Sequence, residues 1–328
     1  MSSIQHYLKE IGRGKDGARA LSRAQACELL GWLLDGQTHP LQVGAFCLAM
    51  RIKGETAQEM AGFMDAVHAR LPHSAKATSP VIVLPSYNGA RRLPVLTPLL
   101  ALLLVREGLP VLLHGSTTEN RRITAQQVLA HLGHAASTSL VTPLPGQLVH
   151  LHTRHLLPSL ADLLDARATI GLRNPAHSLV KHMNPLAASG SHSLVVGCYT
   201  HPEYSLSMQA THTEAGSHAL LLRGMEGEPV ADPRRQPALR GIVQGQLVLE
   251  LEQTTGAVPV LPELPDGTDL AATAAYTQAV LAGQRPVPAP IAVQVQAIAQ
   301  LHQELATLPD ANAEASPALT STATGATA

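Results

Sequence analysis

Arginine occurs in adjacent pairs at three places in this 328-residue chain, and a further basic segment lies between them. Each pair offers two planar guanidinium groups, which can bind phosphate oxygens in a bidentate manner and keep their charge at physiological pH. In the intervening segment an arginine, a histidine and a lysine recur every four residues, which places them near one face of a helix. These residues are Arg91 and Arg92, Arg121 and Arg122, Arg234 and Arg235, and then Arg173, His177 and Lys181.

The charge of the chain is unevenly distributed, although its net value is only −1 at pH 7. Residues 81–182 carry nine Arg or Lys against four acids, whereas residues 241–328 carry one Arg against eight acids. Such a basic middle segment suggests a polyanion as partner. An ordinary solvated surface is the alternative interpretation, because basic patches are often incidental.

Aromatic residues make up only 2% of the chain, so extensive stacking of nucleic-acid bases is not available. Tyr87, close to Arg91, is the main candidate for a stacking ring. Binding of a nucleic acid is therefore expected to be electrostatic, weakly sequence-selective and sensitive to salt. The 17 histidines would add positive charge below about pH 6.5, where imidazole becomes protonated.

The sequence predicts no catalytic residue, metal site or cofactor. No H-E-x-x-H pattern occurs, and the three cysteines form no C-x-x-C pair, which suits a reducing compartment. Glu226 and Glu228 could share Mg²⁺ with a diphosphate, but a solvated loop is the favoured interpretation. The N-terminal residues lack the apolar stretch of a signal peptide, so we expect a cytoplasmic protein without a membrane segment.

The pattern of elements predicts an α/β fold with a small helical domain in front. Helices are expected over residues 1–72, with Ser22, Pro40 and Thr56 at helix starts. From residue 80, short apolar runs each followed by a loop and a helix predict a mostly parallel sheet. The predicted division is 1–72 helical, 78–308 α/β, and 309–328 a disordered tail. Further strands are predicted at 193–198, 218–223 and 247–250, and further helices at 98–107, 124–132, 155–167, 175–183 and 269–305, the last interrupted at 286–290.

The carboxyl ends of parallel strands meet at one edge of a sheet, and loops from different strands gather there. The pair Arg91–Arg92 follows the first predicted strand, and Arg121–Arg122 follows the second. We therefore expect these pairs to lie in one cleft, together with Arg173, Lys181 and the pair Arg234–Arg235.

The string Leu48-Ala-Met-Arg-Ile-Lys-Gly-Glu-Thr56, within residues 40–65, resembles the N-terminal helical domain of the anthranilate phosphoribosyltransferases. The resemblance extends over about residues 5 to 300. It implies a helical domain completed by helices from about 155–185, and across a cleft a larger domain of the nucleoside phosphorylase and phosphoribosyltransferase type. It also implies a homodimer formed through the helical domains.

The chain departs from this family where the enzymes bind phosphoribosyl pyrophosphate. Their Gly-Thr-Gly-Gly-Asp loop, whose glycines let backbone N–H groups approach phosphate, is replaced here by Leu84-Pro-Ser-Tyr-Asn-Gly-Ala-Arg-Arg92. Their Lys-His-Gly-Asn-Arg loop corresponds to residues 113–117 without the lysine, and their magnesium-binding Asp-Glu pair has no close match. Segments 86–92, 171–181 and 223–235 instead resemble the YbiB-type branch, which is described as nucleic-acid-binding.

Three hypotheses follow. The first is a non-enzymatic protein that binds nucleic acid with little sequence preference, single-stranded DNA foremost and RNA or double-stranded DNA in addition. The second is a phosphoribosyltransferase or nucleoside phosphorylase with an altered site, in which His114, Arg173 and Glu226 would line the substrate cleft. The third is a protein whose basic cleft receives an acidic protein segment.

Overall fold

The computed structural model describes residues 4–14, 16–117 and 121–309. Its first four helices confirm the helical start predicted from the capping signals. Ser22 forms a capping box with Gln25, and Thr56 forms one with Glu59. Pro40 occupies the first turn of the third helix, where its missing N–H has no helical partner to lose. The four helices are α1 (Ile4–Ile11), α2 (Arg23–Leu34), α3 (Pro40–Lys53) and α4 (Ala57–His68).

A seven-stranded, mostly parallel sheet forms the centre of the remaining chain, as predicted. In spatial order its strands are β3, β2, β1, β4, β5, β6 and β7, and the first five run parallel to their neighbours. The last two strands pair antiparallel. The strands are β1 (Val81–Ser86), β2 (Val111–Gly115), β3 (Leu148–His152), β4 (Ser193–Tyr199), β5 (Ala219–Arg223), β6 (Leu239–Val243) and β7 (Gln246–Leu251).

Helices cover both faces of this sheet, as buried parallel strands require. Two predicted helices differ in extent. Residues 155–167 are divided at Leu157 between two helices, and the helix expected over 175–183 spans only four residues. The helices are α5 (Thr97–Arg106), α6 (Ala125–His131), α7 (Thr153–Leu156), α8 (Pro158–Ile170), α9 (Ala176–Leu179), α10 (Glu203–Ala215), α11 (Leu270–Leu281) and α12 (Ala289–Ala306).

Two large apolar clusters form the core, one on each face of the sheet. The first packs α5, α11 and α12 against one face. The second joins the four N-terminal helices to residues 156–186 and to the opposite face, through residues such as Val83, Leu112 and Val195. The predicted tail lies outside the described residues from position 310 onward. In the described part of the chain, no helix combines the length and apolarity needed to cross a membrane.

Candidate functional site

The loop after β1 surrounds a buried carboxylate from a distant part of the chain. Glu228, 1% exposed, accepts hydrogen bonds from the backbone N–H groups of Asn88 and Gly89, both at 2.8 Å. Its other oxygen accepts bonds from the hydroxyl groups of Ser86 and, at 2.8 Å, of Thr97. Thr97 begins α5, so the helix dipole also favours a negative charge at this position.

The neighbouring carboxylate of Glu226 extends this arrangement along the same loop. It accepts hydrogen bonds from the backbone N–H groups of Arg91 at 2.6 Å and Arg92 at 3.1 Å. Glu226 has a left-handed backbone (φ 52°), and its carbonyl oxygen accepts a bond from the Asn88 side chain at 3.0 Å. We call the N–H and hydroxyl groups of residues 86–92 and Thr97 the carboxylate nest. The prediction of a solvated loop is wrong for Glu228, because the nest buries it.

The first two arginine pairs lie side by side at the carboxyl edge of the sheet. An isolated antiparallel bridge joins Ala90 to Ile123, with the Ala90 N–H donating to the Ile123 carbonyl oxygen at 2.7 Å. Because the bridge is antiparallel, it brings Arg91 next to Arg122. The loops after β1 and β2 therefore meet as the sheet topology predicts.

The side chains of these four arginines differ in their surroundings. Arg91, Arg92 and Arg121 are exposed, and within the described part of the chain no ion pair or hydrogen bond holds their guanidinium groups. Arg122 is half-buried and donates to the carbonyl oxygen of Asn88 at 3.2 Å. Three cationic groups are thus available to an external anion at this edge.

Arg234 and Arg235 lie near the nest but are partly compensated by an acid. Arg234 forms a 2.8 Å ion pair with Asp232, and Arg235 approaches the same carboxylate at 3.8 Å. The charge of Glu226 also raises the pKa of Arg234, after the larger effect of its bond to Asp232. This pair therefore offers less free positive charge than the sequence pattern predicts.

Arg173, His177 and Lys181 come together in space, although not on one helix. Because α9 spans only Ala176–Leu179, Arg173 and Lys181 lie outside it, and the predicted single helical face is wrong. All three residues instead line one cavity of about 530 Å³. Burial, followed by the charge of Arg173, lowers the pKa of His177 to about 4. His177 is therefore not one of the histidines that would add positive charge just below pH 6.5.

Tyr87 does not present its ring at the surface. The side chain is 4% exposed, and its hydroxyl group contacts His114 Nδ1 at 2.8 Å and Thr153 Oγ1 at 2.7 Å. The prediction of Tyr87 as a stacking platform is therefore wrong. His114 is also fully buried, and burial lowers its pKa to about 3, so it does not line a substrate cleft as the enzyme hypothesis expects.

The cavity has a second wall that the sequence pattern did not indicate. This wall comprises the end of α3, the start of α4, the end of β4 and the first turns of α10. It contributes Arg51, Glu55, Glu203 and Tyr204. The pattern missed α10 altogether, although Pro202 followed by Glu203 is a sequence signal for a helix start. Among the described residues, no group of three His, Cys, Asp or Glu side chains could hold a metal ion.

Comparison with known proteins agrees with this architecture. Residues 5–70 match the helical bundle domain of the glycosyl transferase family. The protein YbiB of Escherichia coli strain K12 is 35% identical over 314 residues, which cover 92% of this chain and 95% of YbiB. The chain belongs to the YbiB family. A protein of Aquifex aeolicus is 25% identical over 71% of the chain and 72% of its own length.

The resemblance to anthranilate phosphoribosyltransferases is confirmed as a resemblance of fold. The Thermus thermophilus enzyme superposes with a TM-score of 0.66 at 18% identity, over 93% of this chain and 89% of the enzyme. The Saccharomyces cerevisiae enzyme, in complex with PRPP and Mg, also superposes with a TM-score of 0.66. Its sequence is 14% identical, and the match covers 92% of this chain and 89% of the enzyme. This member of the YbiB family therefore shares the architecture of these transferases.

Proposed function

We propose that this protein binds nucleic acid, single-stranded DNA foremost, through phosphate contacts made by the arginines at the carboxyl edge of the sheet. The observation that carries the proposal is the bridge between Ala90 and Ile123, which places two arginine pairs from separate loops next to each other. Three of the four guanidinium groups are exposed, and no described residue pairs with them. Exposed guanidinium groups that form no ion pair suit the repeated charge of a phosphate backbone.

The carboxylate nest supports a non-catalytic role for this edge. Its N–H and hydroxyl groups are the kind of donors that bind phosphate, but Glu226 and Glu228 already use them. A diphosphate would have to displace a buried carboxylate with four hydrogen bonds. The arginine side chains outside the nest remain the accessible phosphate-binding groups.

Lack of sequence preference follows from the kind of groups present. Guanidinium contacts to phosphate carry no base information, and Tyr87 is buried, so little stacking is available at this edge. RNA and double-stranded DNA carry the same phosphate groups and are proposed as further ligands.

The double variant Arg91→Ala/Arg92→Ala tests this proposal because it retains the backbone N–H groups that bind Glu226. Fluorescence anisotropy with a single-stranded oligonucleotide should show weaker binding, with a salt slope smaller by about 1.4 for two lost phosphate contacts. Arg13→Ala/Arg19→Ala, outside the sheet edge, is the matched control for net charge. Equal affinity of both folded double variants would refute the arginine edge as the binding surface.

Phosphoribosyl transfer is the second candidate, favoured by the shared fold with the yeast enzyme in complex with PRPP and Mg. On this alternative, Glu226 and Glu228 would leave the nest and Mg²⁺ would accompany the substrate. Turnover of phosphoribosyl pyrophosphate in the presence of Mg²⁺ would support it. Unchanged thermal unfolding in the presence of that ligand would argue for the nucleic-acid proposal instead.

A further inference from the structure

The cavity of about 530 Å³ has a different lining from the carboxyl edge of the sheet that carries the first two arginine pairs. Its walls are residues 50–60 of the helical domain, residues 173–182, the end of β4 and residues 203–211 of α10. None of the four arginines at positions 91, 92, 121 and 122 lines it. Its volume lies within the range of about 300–1,000 Å³ that small-molecule sites occupy.

The cavity contains a half-buried ammonium group that calls for an anion. Within the described segments, Lys181 has no ion pair or hydrogen bond for its side chain. Its charge nevertheless acts on His177, His182 and Cys198, which also line the cavity, so the ammonium group lies among them. A cation partly removed from water is stabilised by an anionic partner.

Two further cations and two acids complete the charged lining. Arg51 lies at the exposed end of α3, and Arg173 lies in the loop before α9. Glu55 is half-buried, and burial raises the pKa of its carboxyl group. Glu203 is exposed at the start of α10. With three basic and two acidic side chains, the lining carries an excess of positive charge.

An exposed aromatic ring also lines the cavity. Tyr204, in the first turn of α10, is 49% exposed, in contrast to the buried Tyr87. The His201 ring lies 6.2 Å from it in a tilted arrangement. An accessible ring and an unpaired ammonium group lining the same cavity provide the two contacts that a nucleotide uses, base stacking and phosphate binding.

We propose that this cavity binds one nucleotide unit, with its phosphate at Lys181 and its base against Tyr204. The unit belongs either to a free nucleoside monophosphate or to an unpaired residue of a bound strand. The second source rests on the proposed function, whereas the first does not. Both share the same chemistry, a phosphate joined to a planar base.

The test compares adenosine monophosphate, measured by isothermal titration calorimetry, with a fluorescent twelve-residue oligothymidylate, measured by anisotropy. Lys181→Met removes the ammonium group with little loss of volume, and we expect at least about a tenfold weakening of binding. Tyr204→Ala should weaken binding by about tenfold, whereas Tyr204→Phe keeps the ring and should bind like the wild type. Lys9→Met, on the exposed face of α1, is the charge control.

Weakening of either probe by both Lys181→Met and Tyr204→Ala, but by neither control, supports the cavity as a nucleotide site. The cavity proposal is overturned if neither probe binds. It is also overturned if Lys181→Met or Tyr204→Ala leaves the binding of both probes unchanged. If the oligonucleotide depends on Arg91 and Arg92 but not on Lys181, and the mononucleotide does not bind, the cavity proposal fails while the proposed function stands. If only the mononucleotide binds and depends on Lys181 and Tyr204, the proposed function fails and the cavity proposal stands.

Discussion

Removing the buried carboxylate of Glu228 should destabilise the protein strongly, and the size of the effect should depend on what replaces it. In Glu228→Ala, the backbone N–H groups of Asn88 and Gly89 lose their acceptor in a buried position. Each unsatisfied buried donor costs about 1–3 kcal/mol, so we expect a loss of about 2–6 kcal/mol. That loss is a large part of a typical unfolding free energy of about 5–15 kcal/mol.

Glu228→Gln should lower the free energy of unfolding less than Glu228→Ala does. The two backbone N–H groups that bind residue 228 are fixed, whereas the two hydroxyl groups can rotate. The amide oxygen can still accept both backbone N–H groups, and the hydroxyl groups of Ser86 and Thr97 can rotate to accept from the amide NH₂. Only the contribution of the charge to these bonds is lost, about 1–2 kcal/mol. The expected order of stability is therefore wild type, Gln, then Ala.

Urea denaturation followed by circular dichroism measures these differences, with Glu250→Ala as the control. Glu250 forms an exposed ion pair with Arg240 at 3.0 Å, and its loss should cost no more than about 1 kcal/mol. Phosphate at ten times its dissociation constant for the vacated nest should return about 1.4 kcal/mol more to Glu228→Ala than to the wild type, in which Glu228 occupies the nest. Glu228→Ala as stable as Glu250→Ala would refute the account of the nest.

Two further predictions concern acid stability and assembly. Burial lowers the pKa of His114 to about 3 and of His212 to about 4, so both side chains are neutral between pH 7 and pH 5 in the folded protein. In the unfolded chain, each histidine binds a proton as the pH falls below about 6.5. The free energy of unfolding should therefore fall by about 2 kcal/mol for each histidine between pH 7 and pH 5. Urea denaturation at the two pH values checks this, and equal stability would contradict it. We also propose the homodimer that the family resemblance implies, through α3, where Leu41, Leu48 and Ile52 are 78%, 47% and 59% exposed. Light scattering after size exclusion should show a dimer for the wild type and a monomer for Leu48→Glu/Ile52→Glu; a monomeric wild type would contradict the proposal.

Local signals in the sequence were sufficient for much of the fold. Ser22 and Thr56 both cap helices, because their side chains and the glutamine or glutamate three residues later satisfy orphan backbone groups. Four of the five parallel strands, β1, β2, β4 and β5, could be recognised from continuous apolar runs. Strand β3, with His150 and His152 within it, strand β6, with Arg240 and Gly241, and helix α10, with its mixed composition, lacked such a pattern and were missed.

The candidate site could be predicted only in part, because burial and pairing depend on distant residues. The meeting of Arg91 with Arg122 followed from parallel-sheet topology. The burial of Tyr87 and the capture of Glu228 by the loop after β1 join residues more than 60 and 130 positions apart, and no local pattern signals such contacts. The ion pair of Arg234 with Asp232 was close in sequence, and its spacing of two residues could have indicated that this arginine is compensated.

The salt dependence of nucleic-acid binding tests the central claim most directly. Anisotropy of a labelled single-stranded oligonucleotide, with duplex DNA and RNA of unrelated sequence beside it, should be recorded over a series of salt concentrations. The account predicts binding to single strands whose log K falls linearly with log salt, by about 0.7 for each phosphate contacted, with little dependence on sequence. Absence of binding at low salt, or an affinity independent of salt, would contradict it.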